Sequence, residues 1–127
     1  MYAAVTRNIR VTVEPVFSPE RSDDEEPRYF WIYNIEIANL GDRTVQLTHR
    51  HWRITDADGR SEEVRGPGVV GHQPLLKPGD HFEYTSGCVL QTPRGEMRGT
   101  YQMQRPDGRL FDAVIAPFLL AMPHSMN

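Results

Sequence analysis

The sequence predicts an all-β sandwich of about seven to nine short strands, and three observations lead to that prediction. Apolar residues alternate with polar ones at a period of two along most of the chain, which is the pattern of half-buried strands. Turn signals containing Gly or Pro recur at short intervals, and no segment sustains the 3.6-residue period of a helix. At 127 residues, the chain fits one domain. We expect that domain to span residues 1–127, with residues 1–4 and 122–127 frayed.

Four segments make up the N-terminal half. Residues 9–13 alternate apolar and polar side chains and predict a half-buried strand. Residues 15–27 carry three prolines and an acidic block, and predict a long solvated loop. Residues 28–39 are apolar on both faces in their first half, as in a central strand. Residues 44–56 predict another long strand, and a phase slip midway in its apolar pattern predicts a β-bulge near His49.

The C-terminal half repeats strands between glycine and proline turns. Asp58-Gly59 is a hairpin signal, and residues 66–74 form a glycine-rich loop with no helix behind it. The predicted strands of this half are residues 61–64, 82–90, 97–104 and 110–115, the last running into an apolar tail at residues 118–120.

Composition narrows the functional classes. The net charge of −3 comes from an acidic block at residues 23–26, without which 13 acidic residues face 14 basic ones, so no nucleic-acid groove is indicated. The longest apolar run is far shorter than the ~20 residues of a membrane span, so we expect no membrane insertion. Cys88 is the one cysteine and the N-terminus has no apolar signal segment, which together favour a cytoplasmic protein.

The sequence shows no set of residues in an arrangement that a catalytic site would require. Cys88 falls on the apolar face of a predicted strand, where we expect a buried and inert thiol. Ser86 is in no nucleophile elbow, and the paired carboxylates lie only in the solvated acidic block. We therefore expect no catalytic residue, no enzymatic activity and no cofactor.

Several motifs, in order and at matching spacings over nearly the whole chain, resemble the bacterial ApaG family. They are Arg-His-Trp-Arg-Ile-Thr-Asp at residues 50–56, Gly-Pro-Gly-Val-Val-Gly-His-Gln-Pro at 66–74, Leu-Lys-Pro-Gly-Asp at 76–80, Phe-Glu-Tyr-Thr-Ser-Gly at 82–87 and Met-Arg-Gly-Thr-Tyr-Gln-Met at 97–103. The resemblance implies an immunoglobulin- or fibronectin type III-like sandwich and an association with cobalt tolerance and magnesium efflux. A similar domain serves interactions in some eukaryotic F-box proteins and in a DNA polymerase δ-interacting protein. The resemblance implies no enzymatic activity, so we expect a regulatory module that binds a protein partner.

The glycine-rich loop is the candidate binding site. Its Gly66–Gly71 stretch matches G-x-G-x-x-G, but Pro74 follows and no helix can begin there to hold a pyrophosphate. We expect Val69 and Val70 to be exposed and covered by a partner; the competing interpretation turns them into the core. An alternative function is a small-anion sensor in which loop amides bind pyrophosphate or a nucleotide, helped by Arg65. The candidate residues are Arg65, Gly66, Gly68, Val69, Val70, Gly71 and Gln73.

Two further groups in the strand at residues 44–56 are candidates. Trp and Arg are common interface anchors, so Arg50, Trp52 and Arg53 are a candidate partner surface. His49 and His51 have the spacing of two ligands on one strand face and are weak candidates for a metal site. Only His51 matches the family pattern, and a bulge would disturb their shared face. We therefore expect no metal site.

Overall fold

The computed structural model describes residues 1–123, and that part of the chain contains nine strands and one 3₁₀ turn at Pro19–Arg21. The strands are β1 (Tyr2–Thr6), β2 (Ile9–Phe17), β3 (Tyr29–Asn39), β4 (Val45–Asp56), β5 (Ser61–Pro67), β6 (Leu75–Leu76), β7 (His81–Leu90), β8 (Arg94–Gln104) and β9 (Leu110–Ala121). One antiparallel sheet has the order β1-β2-β3-β7. The other has the order β5-β4-β8-β9, with β6 also paired to β4. The all-β sandwich is confirmed.

The core lies between the two sheets and follows the period-two pattern. On β3 the alternate residues from Trp31 to Ile37 are buried, as the alternation predicts. Trp52 of β4 lies among three rings from both sheets, with ring centres 5.7–6.1 Å away. Those rings belong to Tyr33, Tyr101 and Phe118. Trp52 is therefore a core residue, 3% exposed, and does not present the exposed ring that the sequence analysis expected.

Two β-bulges adjust the second sheet. The register of β4 against β8 shifts between Leu47 and His49, which confirms the predicted bulge and leaves Thr48 as the extra residue. The bulge restores the inward direction of the apolar residues on both sides of it. The register of β8 against β9 also shifts, close to Pro117, and a residue without an N–H is tolerated at such a bulge. The predicted strand at 110–115 therefore continues through its apolar tail to residue 121.

The two sides of the sandwich differ. On one side β1 and β2 pack against β9, and side-chain oxygens of β1 accept hydrogen bonds from the outer amides of β9. Val114 N donates to Thr6 Oγ1 at 3.0 Å and Leu119 N donates to Tyr2 Oη at 3.4 Å. On the other side β5 and β7 end their sheets without pairing to each other. We call this second side the open side.

Two predictions about the N-terminal region need correction. Residues 2–4 are not frayed, because β1 pairs along its whole length with β2 in a hairpin. The predicted loop at 15–27 begins later, since β2 runs through Pro15 to Phe17 opposite β3. At the other end, residues 122 and 123 follow β9, and the remaining predicted frayed residues, 124–127, lie outside the described residues. Within the described chain, no helix is long and apolar enough to cross a membrane.

Candidate functional site

The glycine-rich loop after β5 ends in a tight two-residue turn. Val69 N donates to His72 O at 2.8 Å and His72 N donates to Val69 O at 2.9 Å, which encloses Val70 and Gly71. Both enclosed residues have positive φ, +43° for Val70 and +82° for Gly71, as a type I′ turn requires. A β-branched residue is a rare occupant of that region because its side chain crowds the backbone. The turn is therefore strained at Val70.

The β4 bulge holds this loop in place. The carbonyl of Thr48 accepts two hydrogen bonds at 2.9 Å, from Gly68 N and from Gln73 Nε2. Leu47 N donates to Pro74 O at 3.0 Å. A Cβ on Gly68 would lie 2.3 Å from His72 O, so only glycine fits there. Gln73 and Gly68 thus have structural roles in fixing the turn.

The two valines of the turn have opposite environments. Val69 is 1% exposed and belongs to the core, whereas Val70 is 56% exposed. The expectation that both are exposed is wrong for Val69, because the two successive residues of this turn point to opposite sides. Val70 alone presents an apolar side chain to the surface.

A cleft of about 390 Å³ opens beside this turn, between β5 and β7 on the open side. Its inner wall contains Tyr33, Trp52 and Met97 from the core, and Val70 lies at one end. A second hollow of about 750 Å³ adjoins it and shares Ile54, Glu62 and Val89 with it, at the end away from Val70. The open side therefore carries one continuous groove.

Arg50 places a positive charge at the Val70 end of the cleft. Its Nη1 donates to Pro67 O at 2.9 Å and to Gly68 O at 3.1 Å. The guanidinium lies flat against Gly66, where a Cβ would approach it to 3.1 Å. The other charged residue of the cleft is Glu62, which precedes Gly66 by four residues on β5.

Titratable groups of β3 and β7 that line the cleft are held neutral. Burial raises the pKa of Cys88 to about 11 and the pKa of Tyr33 above its usual value. Burial also raises the pKa of Tyr84, although the hydrogen bond between its hydroxyl group and that of Tyr101 opposes the shift. Groups that stay protonated at neutral pH suit contact with a ligand better than proton transfer. A thiol with so high a pKa is also a poor nucleophile.

Arg65 lies apart from the turn. It occupies the outer face of β5, where its Nη2 lies 3.6 Å from Glu63 Oε2, and it does not line the cleft beside Val70. The amides of Gly68 and Val69 are already bonded to carbonyls. The structure thus does not bring Arg65 and free loop amides together, as the predicted anion site would need.

The predicted surface on β4 is divided between both faces of the sheet. Arg50 faces the cleft, whereas Arg53 is on the outer face, where its Nη2 donates to Glu63 Oε1 at 2.8 Å. That bond lowers the pKa of the Glu63 carboxyl. Adjacent residues of a strand alternate between faces, so the consecutive sequence could not form one surface.

The histidines gather no metal ligands on β4. His49 and His51 follow the bulge and line the same outer-face hollow, and His51 Nε2 lies 3.7 Å from Glu63 Oε1. Within residues 1–123, the three-ligand grouping lies instead on the outer face of the other sheet, with ligand atoms within 4.8 Å of one another. We call it the outer-face triad: Glu36, His81 and Glu83. Its members come from strands 45 residues apart in sequence, so no local spacing signals it.

The open side contains residues that the sequence analysis did not single out. The relevant part of β7, Tyr84–Leu90, has no charged residue, and this was readable in the sequence. The sequence does not show that β7 lies at the edge of a sheet, because edge strands and central strands can have the same alternation of apolar and polar residues. Tyr33, Tyr84 and Val89 therefore join Arg50 and Val70 in the candidate site.

Comparisons with known proteins agree with this architecture. Residues 19–105 match the profile of the ApaG domain. The chain is 57% identical over 125 residues to Protein ApaG of Beijerinckia indica, covering 98% of this chain and 96% of that protein. It is 57% identical over 127 residues to Protein ApaG of Anaeromyxobacter dehalogenans, covering 100% of both. It is also similar to the crystal structure of a Bordetella pertussis protein described as ApaA, with a TM-score of 0.88, 52% identity, and coverage of 91% of this chain and 94% of that one.

Proposed function

The chain belongs to the ApaG family, and from that premise we propose that it is a non-catalytic module that binds an extended segment of a protein partner along β7. The observation that carries the proposal is the open side. There, the uncharged segment Tyr84–Leu90 of the edge strand β7 lies beside a groove with apolar walls. An exposed edge offers unpaired backbone N–H and C=O groups to an added strand.

The other edges are less suited to that use. Two outer amides of β9, those of Val114 and Leu119, already donate to β1 side chains. The edge strand β5 carries Glu62, Glu63 and Arg65 and ends at Pro67, and charges and proline both discourage strand addition. On β7, by contrast, Val89 is 53% exposed and the neighbouring residues are neutral. Backbone pairing with a partner is therefore best placed on β7.

The groove adds side-chain selectivity to this backbone pairing. An apolar side chain of the partner would lie against Tyr33 and Val70, and a carboxylate next to it would meet Arg50. The guanidinium keeps donors in addition to the Nη1 that bonds the loop, and charged hydrogen bonds of this kind are strong. The fitting partner segment is extended and combines an apolar residue with an acidic one.

This proposal includes the cellular setting. The family's association with cation homeostasis is consistent with a partner in such a regulatory pathway. A buried, unpaired Cys88 suits a reducing compartment, and we place the protein in the cytoplasm. The alternative of an anion sensor at the Gly66–Gly71 turn is less favoured, because the amides of Gly68 and Val69 are engaged and Arg65 is turned away.

The proposal is tested by affinity purification with matched surface variants. Val89→Lys places a charge on the β7 edge, and Val16→Lys places the same charge on an equally apolar site of β2, 49% exposed, in the same sheet. Partners retained by the wild type and by Val16→Lys should be lost from Val89→Lys. A peptide from such a partner should bind at least about tenfold more weakly to Val89→Lys, since an interface hot spot contributes about 2 kcal/mol.

Hydrogen exchange then locates the contact. Amides of β7 should become more protected when the peptide is bound, whereas those of β9 should be unchanged. Equal retention of every partner by both variants, or protection confined to β9, would show that the open side is not the binding surface.

A further inference from the structure

We propose that a pocket formed by the β1–β2 turn, the β3–β4 turn and the end of β8 binds a phosphate group through three arginines. The pocket has a volume of about 300 Å³. The arginines that line it are Arg7, Arg43 and Arg105, one from each of the three segments. This site is separate from the groove on the open side.

The three arginines lack a close acidic partner, as four other arginines among residues 1–123 do, and they differ from those four in lining one hollow together. In the described chain, none of them has a carboxylate oxygen within 4.0 Å, whereas six other arginines form such pairs. Those six are Arg10, Arg53, Arg60, Arg65, Arg98 and Arg109. Three guanidinium groups around one hollow repel each other unless an anion lies between them. Three arginines and one acidic residue, Asp42, line this hollow, and the excess of positive charge is the observation that points to an anionic ligand.

Phe111 holds two of the guanidinium groups. The Cζ atoms of Arg7 and Arg105 lie 5.7 Å and 5.2 Å from the centre of its ring, within the range of cation–π attraction. Arg7 also has a φ of +46° in the turn between β1 and β2, next to Asn8 at +67°. Asn is common in this left-handed region of backbone conformation, whereas a long side chain such as Arg is uncommon there. Both angles are those of a two-residue type I′ turn, since Thr6 pairs with Ile9, and this turn fixes the position of Arg7 beside the pocket.

Asn39 fixes the turn that carries Arg43. Its side chain is buried, at 1% exposure, and is fully bonded. Asn39 Nδ2 donates to Arg43 O at 2.7 Å and to Leu76 O at 3.0 Å, and Oδ1 accepts from Gly41 N at 3.0 Å. Leu40 N donates to Asn8 O at 2.8 Å and joins this turn to the β1–β2 turn. The two turns therefore keep a fixed spacing, which a site for a small rigid anion needs.

The chemistry of the pocket indicates a phosphate group. Guanidinium forms paired hydrogen bonds with phosphate oxygens, and its charge persists at any physiological pH. Asp42 is the one acidic residue in the pocket lining, so the hollow stays positive overall. Because two arginines stack on Phe111, the ring is not free to stack on a nucleobase. The ligand class is thus inorganic phosphate, pyrophosphate or the phosphate group of a small metabolite.

Calorimetric titration tests the site. Inorganic phosphate, pyrophosphate and AMP are added to the wild type and to Arg7→Gln, Arg43→Gln and Arg65→Gln. We expect one pyrophosphate per chain and binding about tenfold weaker or more in the first two variants, since a charged hydrogen bond is worth about 1.5–3 kcal/mol. Arg65→Gln is the matched control, an exposed arginine outside the pocket, and should bind like the wild type. Raising the salt concentration should weaken binding.

Several results would overturn the proposal. Absence of pyrophosphate binding at millimolar concentration would do so, as would binding that none of the pocket variants weakens. Loss of binding in Arg65→Gln alone would place the site at the glycine-rich loop instead. Binding of AMP tenfold tighter than phosphate would show that the nucleoside is recognised and that the ligand class is wrong. Both pocket variants replace exposed side chains, so thermal melting should confirm that they are folded.

Discussion

The strained turn at Val70 provides a quantitative test of the structure. Replacing Val70 with Asn should stabilise the protein, because Asn-Gly is a preferred type I′ pair. A non-glycine residue in the left-handed region costs about 1–2 kcal/mol, and Asn recovers much of that through local hydrogen bonds. Since Val70 is 56% exposed, the lost apolar contact offsets less than about 1 kcal/mol. The expected net gain is up to about 1 kcal/mol.

Urea denaturation followed by tryptophan fluorescence measures this change, and calorimetry should show a melting temperature about 3–5 °C higher. The adjacent Val69→Ser is the matched comparison. Val69 is 1% exposed, so the substitution removes buried carbon and adds a buried hydroxyl. It should cost about 2–4 kcal/mol.

The free energy of unfolding should increase in Val70→Asn and decrease in Val69→Ser. A loss of more than about 1 kcal/mol in Val70→Asn would show that the valine side chain stabilises the turn by burial. A neutral Val69→Ser would place that residue outside the core. Affinity for a partner peptide should fall in Val70→Asn despite its greater stability, which separates binding from folding.

Three other predictions concern the core and the protein's ions. Gly99→Ala should lose about 3 kcal/mol in urea denaturation, because its Cβ would lie 2.1 Å from His51 O. The free energy of unfolding should fall as the pH rises from 9 towards 11. Burial raises the pKa of Cys88 from 9.0 to about 11, so only the thiol of the unfolded chain ionises in that interval. Melting curves recorded across this pH range should show a smaller fall for Cys88→Ala. EDTA should leave the melting curve unchanged, because the outer-face triad is at the surface and the core lies between the sheets without it. A lowered melting temperature would reveal a structural metal.

Most of the fold was predictable because burial follows a period of two. The bulge near His49 was also visible, since one extra residue shifts the phase of the apolar pattern. The positions of the strand ends were predicted less accurately. Pro15 suggested a loop, but its missing N–H is tolerated within β2, and β1 carried too weak a pattern to be recognised.

The candidate site was predictable only in part. The loop at residues 66–74 was correctly chosen as distinctive, but sequence order does not say which of two adjacent valines faces inward. Arg50 and Arg65 were both noted, yet only the strand register shows that Arg50 faces the cleft. The phosphate pocket joins Arg7, Arg43 and Arg105 across almost a hundred residues. Such long-range convergence depends on topology, which local patterns do not encode.

The protected edge of β9 has a consequence for self-association. Sheets that expose two addable edges can extend from copy to copy into open-ended filaments. Here Thr6 and Tyr2 accept hydrogen bonds from two outer amides of β9, and β5 carries three charged residues, so β7 is the more permissive edge of the open side. Pairing of β7 with β7 of a second copy uses that edge on both molecules and closes a two-fold dimer. A third copy then finds no free β7 edge.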